Sequence, residues 1–298
     1  MSSAPAHMNV PTDAGRLPVG INTLIEKKRL GDPLVMVTAY DFPSARAAEA
    51  AGVDLVLVGD SGAMTVLGYP STVAVTTDEL LMLARAVRRG LRAPFLIGDL
   101  PFGSYEESDQ QAIATAMRFV KEAGCDAVKL ERGNETSVAR ARAIVQAGIP
   151  VMGHVGLTPQ TSTQLGGYKA QGRDADAAVR IAREAMALQE AGCFSIVFEA
   201  IPAAVSEALM TKIEIPVIGI GAGPATDGQV LVFHDLLGIR EGRGAKFVQR
   251  YADLQDEMNA GVSAYAADVR ERRYPGPEHT YAIDEMSLAQ FRSELAAL

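Results

Sequence analysis

The sequence predicts an α/β fold, a (β/α)8 TIM barrel followed by a C-terminal helical extension. One local pattern carries most of this prediction: a helix-like stretch, then Ala-Gly, then a short apolar run. The pattern starts at Ala51, Ala123, Ala147 and Ala191. Glycine suits the position after a helix end, where a positive φ is needed, and apolar runs without strict alternation are typical of parallel strands covered by helices.

The number and spacing of candidate strands point the same way. Eight apolar runs start about 28 residues apart on average, which is typical of a barrel in which a helix follows each strand. An open doubly wound sheet is the alternative, and it too would place a site at the carboxyl edge. The candidate strands are residues 34–39, 54–59, 95–99, 127–131, 150–154, 195–199, 215–220 and, with the weakest pattern, 229–233.

Helix signals occupy the stretches between these runs. Ser108 and Gln111 form a capping-box pattern before an apolar segment. Thr77 precedes a segment with acids in its first turn and arginines in its last, as helix ends favour. Residues 175–191 are alanine-rich and carry apolar side chains at helical spacing.

The two ends of the chain lack this alternation of strand and helix signals. Residues 1–18 are predicted to be a flexible N-terminal tail, and residues 19–298 a single barrel domain that includes the C-terminal helices. Those helices are predicted at residues 250–272 and 285–297. We expect this extension to pack against the barrel or a neighbouring subunit.

Composition excludes several classes of protein. The net charge of −8 argues against a nucleic-acid-binding surface, and no apolar run is long enough for a transmembrane helix. The start of the chain shows no secretory signal. Cys125 and Cys193 are too few for a disulfide framework, so we expect buried free thiols, with a catalytic or metal-binding cysteine as the alternative. These features favour the reducing cytoplasm.

Five successive candidate strands carry ionisable side chains at their carboxyl ends. In a barrel these ends converge on one mouth, where catalysis takes place. One such residue alone is often only a solvated strand end, but five consecutive strands favour a site. The residues are Asp60, Asp99, Lys129, Glu131, His154 and Glu199.

The acids in this set imply a cation. Three or four carboxylates in one mouth repel each other unless a cation is present. A carboxylate-rich cluster without thiols suits octahedral Mg²⁺ better than Zn²⁺.

Structural alternatives stay open for three of these residues. His154 either faces a ligand or is a hydrogen-bonded histidine of the barrel wall. Lys129 either serves the site or only forms an ion pair with Glu131. Glu199 either points into the mouth or caps the first N–H groups of the following helix.

A glycine-rich segment, Gly219 to Gly223, follows the seventh candidate strand. Its backbone N–H groups either approach a phosphate or another anion, or the segment is a tight turn of the barrel. We favour the turn, because the glycine pattern alone is weakly specific.

Longer motifs extend through residues 37–281, which is most of the chain. They are VTAYDFPSA (37–45), VGDSGAMTVLGYPSTVAVT (58–76), GDLPFGSY (98–105), VKLERG (128–133), GHVGLTPQ (153–160), GGYKAQGR (166–173), FEAIP (198–202), PVIGIGAG (216–223), DGQVLVFHD (227–235) and YPGPEHTY (274–281). In this order they resemble the ketopantoate hydroxymethyltransferase family, and motifs of this length are highly specific.

The resemblance implies a fold, a reaction and an assembly. The fold is the (β/α)8 barrel of the phosphoenolpyruvate/pyruvate superfamily. The reaction transfers a hydroxymethyl group from 5,10-methylenetetrahydrofolate to 3-methyl-2-oxobutanoate and gives 2-dehydropantoate, the first step of pantothenate biosynthesis. The assembly is a homo-oligomer, for which a decamer is one candidate.

The resemblance also implies ligand contacts. Asp60 and Asp99 match the family's Mg²⁺ ligands, and Glu131 is a further acid at the metal that acts through water. Asp60, Ser61, Asp99 and Lys129 match the contacts to the keto acid.

Catalytic roles are implied for Glu199, Lys129 and His154. Glu199 matches the base that removes the C3 proton, Lys129 adds positive charge at the developing enolate, and His154 matches a histidine of the pocket. Two other functions are alternatives: a Mg²⁺-dependent 2-oxo acid C–C lyase that uses no folate, and a non-catalytic barrel that binds a keto acid.

Overall fold

The computed structural model describes residues 15–162, 167, 169–240, 242 and 244–298. Its central feature is a closed barrel of parallel strands that follow one another in sequence order. The strands are β1 (Leu34–Thr38), β2 (Leu55–Val58), β3 (Phe95–Asp99), β4 (Ala127–Lys129), β5 (Val151–Gly156), β6 (Ser195–Glu199), β7 (Val217–Ile220) and β8 (Gly228–Leu231).

Pairing of the first and last strands closes the barrel. Leu34 of β1 lies opposite Gly228 of β8, and β1 also pairs in parallel with β2. The predicted barrel is therefore confirmed, and the open-sheet alternative is wrong because an open sheet leaves two edge strands unpaired.

Each candidate strand overlaps an observed strand, with two differences that affect the site. β4 ends at Lys129, so Glu131 lies beyond the strand, and Arg132 (φ 74°) turns the chain away. β5 continues to Gly156, so His154 lies within the strand and not at its end. β5 pairs with β6 as far as Gly156, two residues beyond the end of the predicted strand.

Helices follow most strands, and side-chain caps start several of them. The Ser108 hydroxyl accepts a hydrogen bond from the Gln111 N–H, as predicted. The next helix begins at Thr77, and Thr76 is its cap, because the Thr76 hydroxyl and the Glu79 carboxylate each accept a hydrogen bond from the other residue's backbone N–H. The helices are α1 (Ile21–Leu30), α2 (Phe42–Ala50), α3 (Gly62–Thr65), α4 (Thr77–Gly90), α5 (Asp109–Ala123), α6 (Glu135–Gln146), α7 (Ala175–Glu190), α8 (Ala203–Met210), α9 (Phe233–Leu236), α10 (Leu254–Arg270) and α11 (Glu285–Leu295).

The connection from β7 to β8 has no helix. Residues 221–227, all of them described, form a short link in which Gly221 (φ 65°) and Gly223 (φ 82°) adopt the left-handed conformation. A Cβ on Gly223 would lie 2.5 Å from the Cβ of Ala203. The glycines are thus explained by a tight turn packed against α8.

Two apolar clusters stabilise the barrel. Side chains inside it, among them Leu55, Ile97 and Ile218, form one cluster that Leu24 of α1 joins. The second cluster lies between the strands and the surrounding helices, and it includes the fully buried Phe119 of α5. Helix α1 was not among the predicted helices.

Residues 1–14 of the predicted flexible tail lie outside the described residues. Arg16, further along the same segment, is fixed: its guanidinium donates to the Val53 carbonyl at 2.8 Å and to the Asp54 carboxylate at 3.2 Å. The part of the predicted tail from Arg16 onward is therefore held by the barrel.

The chain divides into two compact units, one ending at Tyr251 and one comprising Ala252–Leu298. The second unit contains α10 and α11, which confirm the two predicted C-terminal helices with shorter bounds. Among the described residues, no helix has the length and apolar character needed to cross a membrane.

We expect Gly98→Ala to destabilise the barrel. A Cβ at Gly98 would lie 2.3 Å from Cδ1 of Phe119 and 3.1 Å from Sγ of Cys125, both of which are buried. Overpacking of this kind costs on the order of 1–3 kcal/mol, measurable as a lower free energy of unfolding in urea.

Gly261→Ala is the control for this substitution. A Cβ at Gly261, within α10, meets no atom within 4 Å. Alanine there is expected to be neutral or to stabilise by up to about 1 kcal/mol. Equal effects of the two substitutions would contradict the close packing of β3 against α5.

Candidate active site

The carboxyl ends of the strands surround a cavity of about 160 Å³. Residues from all eight strands and from several of the loops that follow them line it, and most of their side chains are buried. All the residues predicted for the site line this cavity: Asp60, Ser61, Asp99, Lys129, Glu131, His154 and Glu199.

A buried ion pair lies in this cavity. Lys129 Nζ is 2.7 Å from Asp99 Oδ1 and 3.9 Å from Glu131 Oε1. Asp99 and Lys129 are direct partners in the β3–β4 ladder, whereas Glu131 lies beyond the strand. Lys129 therefore pairs mainly with Asp99, and its contact with Glu131 is longer.

A backbone hydrogen bond holds Asp60 next to the Lys129–Asp99 ion pair. Asp60 lies in the loop after β2, and its N–H donates to Asp99 Oδ2 at 3.2 Å. This contact brings the two carboxylates that were predicted to bind metal side by side.

His154 lies between two carboxylates. Its Nδ1 is 3.5 Å from Glu131 Oε1, and its Nε2 is 3.2 Å from Glu199 Oε2. His154 pairs with Val197 across the β5–β6 ladder, and Glu199 is two residues further along β6, so both side chains point to the same face.

Glu199 points into the mouth and does not cap the next helix. Its side chain is 16% exposed, which leaves it accessible from the rim, and α8 begins without a side-chain cap. The capping alternative is therefore wrong.

Gln160 connects the acids, and sequence reasoning missed it. Its backbone N–H donates to Glu131 Oε2 at 3.0 Å, and its side-chain Nε2 donates to Asp60 Oδ2 at 3.1 Å and to the Leu100 carbonyl at 2.9 Å. The Tyr105 hydroxyl donates to Gln160 Oε1 at 2.8 Å. Two of the quoted motifs end at Tyr105 and Gln160, and that was the available signal.

Ser61 is positioned by a buried tyrosine. The Tyr40 hydroxyl and the Ser61 Oγ are 2.8 Å apart. Burial raises the pKa of Tyr40 to about 12, so the phenol stays protonated at neutral pH.

Burial dominates the electrostatics of the two aspartates. It raises the pKa of Asp60 well above the usual carboxyl range, and the negative charges of Asp99 and Glu131 add to the effect. Burial also raises the pKa of Asp99, although the charge of Lys129 opposes it. Ionising both aspartates is therefore costly in the absence of another cation.

The surroundings of Glu131, His154 and Lys129 favour their charged forms. Burial disfavours ionisation of Glu131, but the hydrogen bond to His154 and the charge of Lys129 outweigh it and lower the pKa of Glu131. Burial and Lys129 disfavour a charged His154, but Glu131 and Glu199 raise its pKa to about 9. The carboxylates likewise raise the pKa of Lys129 above its usual value despite burial. His154 and Lys129 are thus cations at neutral pH.

Backbone strain follows two of the acids. Arg132, after Glu131, has φ 74°, and Ala200, after Glu199, has φ 50°. The left-handed conformation costs a residue with a Cβ roughly 1–2 kcal/mol. Hydrogen bonds from Arg132 N–H to the His154 carbonyl and from Ala200 N–H to the Ile220 carbonyl, both 2.9 Å, hold these turns.

The charge balance fits a divalent cation. Five carboxylates line the cavity, and one of them, Asp235, pairs with Arg240. The other four face two cations, Lys129 and His154, which leaves two surplus negative charges when all four are ionised. Within the described residues, no group of three His, Cys, Asp or Glu side chains is arranged to hold a metal alone. Mg²⁺ commonly uses one or two carboxylates and completes its octahedron with water and substrate, so Asp60 and Asp99 suit it.

The two cysteines lie elsewhere. Cys125 and Cys193 are free and buried, and burial raises the pKa of each thiol to about 12. Such thiols are inert, as expected for the structural interpretation.

The arrangement suits removal of a proton next to an anionic ligand. Lys129 supplies positive charge at the bottom of the cavity, and Glu199 supplies a partly exposed carboxylate at its rim. A ligand bound through its oxygens near Lys129 would present a neighbouring C–H to Glu199.

Solved structures confirm the fold. A 2,3-dimethylmalate lyase of the PEP mutase/isocitrate lyase superfamily matches with a TM-score of 0.57 at 18% identity, over 88% of this chain and 92% of that one. A phosphonopyruvate hydrolase in complex with oxalate and Mg²⁺ matches with a TM-score of 0.58 at 14% identity, over 94% and 97%. At these identities the likeness concerns the fold alone.

Sequence comparison defines the family. The 3-methyl-2-oxobutanoate hydroxymethyltransferase of Thermus thermophilus is 51% identical over 84% of this chain and 95% of that protein. The mitochondrial 3-methyl-2-oxobutanoate hydroxymethyltransferase 1 of Arabidopsis thaliana is 48% identical over 94% and 82%. A family model described as ketopantoate hydroxymethyltransferase matches residues 18–277. The chain therefore belongs to the ketopantoate hydroxymethyltransferase family.

Proposed function

We propose that this chain transfers a hydroxymethyl group from 5,10-methylenetetrahydrofolate to 3-methyl-2-oxobutanoate, giving 2-dehydropantoate for pantothenate biosynthesis. The observation that carries the proposal is the placement of Glu199 at the rim of a cavity that holds the Lys129–Asp99 pair. Family membership supports the choice of substrate. The direct test is to incubate the protein with both substrates and Mg²⁺ and to look for 2-dehydropantoate.

The keto acid binds through its oxygens. Lys129 attracts its carboxylate and 2-oxo group, and the Ser61 hydroxyl, held by Tyr40, donates to the carboxylate. Asp60 and Asp99 would hold Mg²⁺, and Glu131 would be a further acid beside it. When bound, Mg²⁺ supplies a Lewis acid that polarises the 2-oxo group.

Glu199 removes the C3 proton. His154 Nε2 lies 3.2 Å from one carboxylate oxygen and orients the group, which leaves the other oxygen for the proton. His154 is an imidazolium that is itself fixed by Glu131 on its other side. Lys129 stabilises the negative charge that moves onto the 2-oxo oxygen.

The bonds balance with water as the third reactant. The C3–H bond breaks, and a bond forms between C3 and the methylene carbon of the donor. The two C–N bonds to that carbon break, and their electron pairs stay on nitrogen. Water supplies the hydroxyl group, and its other proton and the C3 proton end on the two nitrogens, giving tetrahydrofolate.

Two alternatives remain distinguishable. A 2-oxo acid C–C lyase would turn over without the folate donor, and a non-catalytic barrel would bind the keto acid without C3 exchange. The intact set of ionisable residues around the cavity favours an enzyme over a scaffold.

The assembly and location are further proposals. We propose a homo-oligomer, with a decamer as one candidate, on the basis of family membership alone. A reducing compartment, the cytoplasm, suits two buried free thiols, while the Arabidopsis relative is named as mitochondrial.

We expect Mg²⁺ binding to strengthen as the pH rises from the acid range to neutrality. Because the pKa of Asp60 is raised in the folded protein, protons compete with the metal for its carboxylate. In the metal-free protein the same raised pKa lowers the free energy of unfolding as the pH rises from the pKa of this group in the unfolded chain to its pKa in the folded protein. Calorimetric titration in buffers of different ionisation enthalpy should show proton release, and the gain in Tm on adding Mg²⁺ should grow with pH. Asp99→Asn should weaken binding.

Asp78→Asn is the control for this titration, because Asp78 pairs with Arg118 on the outer surface. It should bind Mg²⁺ as the wild type does. Full activity in excess chelator, or binding that is independent of pH, would contradict the metal assignment.

Gln160→Leu is expected to weaken Mg²⁺ binding by about 10- to 100-fold, the usual effect of losing a group that orients a metal ligand. Leucine removes the donor to Asp60 Oδ2 but keeps the backbone N–H that binds Glu131. Tyr105→Phe loses one hydrogen bond to Gln160 and should have a smaller effect. Unchanged metal affinity with lowered thermal stability would show that Gln160 has only a structural role.

Glu199→Gln is expected to lose C3-proton exchange by about 100-fold or more, because the amide keeps the shape of the side chain but cannot accept the proton. Exchange of 3-methyl-2-oxobutanoate with deuterium is measured by NMR without the folate donor. Glu207→Gln, an exposed acid of α8, is the control and should exchange at the wild-type rate. Wild-type exchange by Glu199→Gln would assign the base to another group.

A further inference from the structure

Phe247 lies between three cavities. The cavity of the candidate active site, which we call the site cavity, measures about 160 Å³. Two larger cavities, of about 650 and 820 Å³, share this residue with it, and Phe247 is the one described residue that lines all three. The ring of Phe247 therefore separates the site cavity from much wider spaces.

A loop after α9 carries Phe247. Its described residues form neither helix nor strand. The Tyr251 N–H donates to the Leu236 carbonyl at 2.8 Å, which ties the two ends of the loop together. The Val248 N–H donates to the Ala245 carbonyl at 3.0 Å in a turn that contains Phe247. Loops whose ends are held together in this way are frequently functional.

Gly221 leaves the room that the ring of Phe247 occupies. A Cβ at Gly221 would lie 2.5 Å from Cδ1 and 2.8 Å from Cγ of Phe247, closer than a real Cβ approaches another carbon. The ring is half-buried and packs against the apolar cluster inside the barrel. Its position is thus fixed by the link that follows β7 and by the interior of the barrel.

The site cavity has an ionic side and an apolar side. The ion pair of Lys129 lies on β3 and β4. The strands across the barrel, β6 to β8, supply apolar side chains to the cavity: Val197, Ile220 and Val230. A keto acid that binds through its oxygens near Lys129 extends its alkyl group toward this apolar side, which Phe247 completes.

We propose that Phe247 is a specificity-determining residue that limits the length of the alkyl chain of the 2-oxo acid. Its ring forms the outer wall of the site cavity, and without the ring this cavity opens into the two larger ones. An unbranched chain then gains room to extend. This inference rests on the proposed function, because it takes a 2-oxo acid as the ligand of the site cavity.

The test compares Phe247→Ala with the wild type on 3-methyl-2-oxobutanoate and on the longer, unbranched 2-oxooctanoate. C3-proton exchange with deuterium is followed by NMR with Mg²⁺ and without the folate donor, which gives kcat/KM for each acid. The ratio of the two values should shift toward the longer acid by on the order of tenfold, the discrimination that a methylene group meets in an apolar pocket. The change should lie mainly in KM, because the wall contributes to binding and not to proton removal.

Phe247→Leu and Gly221→Ala test the same wall by other routes. Leucine keeps an apolar contact with the interior cluster and should shift the ratio less than alanine does. Gly221→Ala should displace the ring and shift the ratio in the same direction. In the Phe247→Ala background that clash is absent, so adding Gly221→Ala should leave the ratio unchanged, although the left-handed φ of 65° makes alanine costly there in either background.

Phe291→Ala is the control for removal of an aromatic ring. Phe291 is an exposed residue of α11 and should keep the wild-type ratio. An unchanged ratio in Phe247→Ala overturns the proposal. Equal losses for both acids overturn it as well, because they indicate general damage to the barrel and no change in the size of the site cavity.

Binding of both acids in the presence of Mg²⁺, measured by calorimetry, separates this inference from the proposed reaction. If the wild type binds the keto acid without exchanging its C3 proton, the proposed reaction fails, while a shift in the ratio of Kd values in Phe247→Ala still supports the wall. If the wild type binds neither acid, both the proposed function and the wall are overturned.

Discussion

Burial of four carboxylates around one small cavity is the constraint on which the rest of the site depends. Asp60, Asp99, Glu131 and Glu199 line about 160 Å³, and the first three are almost inaccessible to solvent. Charges of one sign at such distances are costly, and the raised pKa values of Asp60 and Asp99 show that cost. Lys129 and His154 offset only half of the charge. This surplus of negative charge is the physical basis for the proposed binding of a divalent cation.

The barrel makes this arrangement possible because it fixes side chains from different strands at short range. The β3–β4 ladder places Lys129 beside Asp99, and the β5–β6 ladder places His154 on the same face as Glu199. Gln160 then links Asp60 to Glu131 through its side chain and its backbone. The acids are thus divided between two groups of partners. The aspartates lie near Lys129, an arrangement that suits the proposed metal binding. The two glutamates contact His154, an arrangement that suits the proposed proton transfer.

Solvent exposure increases from the bottom of the site cavity to its rim. The acids at the bottom are buried, Glu199 is partly exposed, and a wider cavity with lysines at its edge begins where Glu199 and Phe247 meet solvent. Strain at Ala200 marks the same boundary, because the chain must turn sharply after Glu199 to leave room for the mouth. This order suits the proposed reaction, in which an enolate formed in the protected space would react at its opening.

The sequence by itself determined the eight strands, most helices and the list of ionisable residues at the mouth. These follow from local patterns: apolar runs of strand length, Ala-Gly helix ends and the residues that come directly after each strand. Only the tertiary structure decided that Lys129 lies closer to Asp99 than to Glu131, that His154 lies within a strand between two glutamates, and that neutral Gln160 and Tyr105 join the acids. The absence of a helix between β7 and β8 was decided there too. These features depend on strand register and on distances between residues far apart in the chain, which local periodicity does not encode.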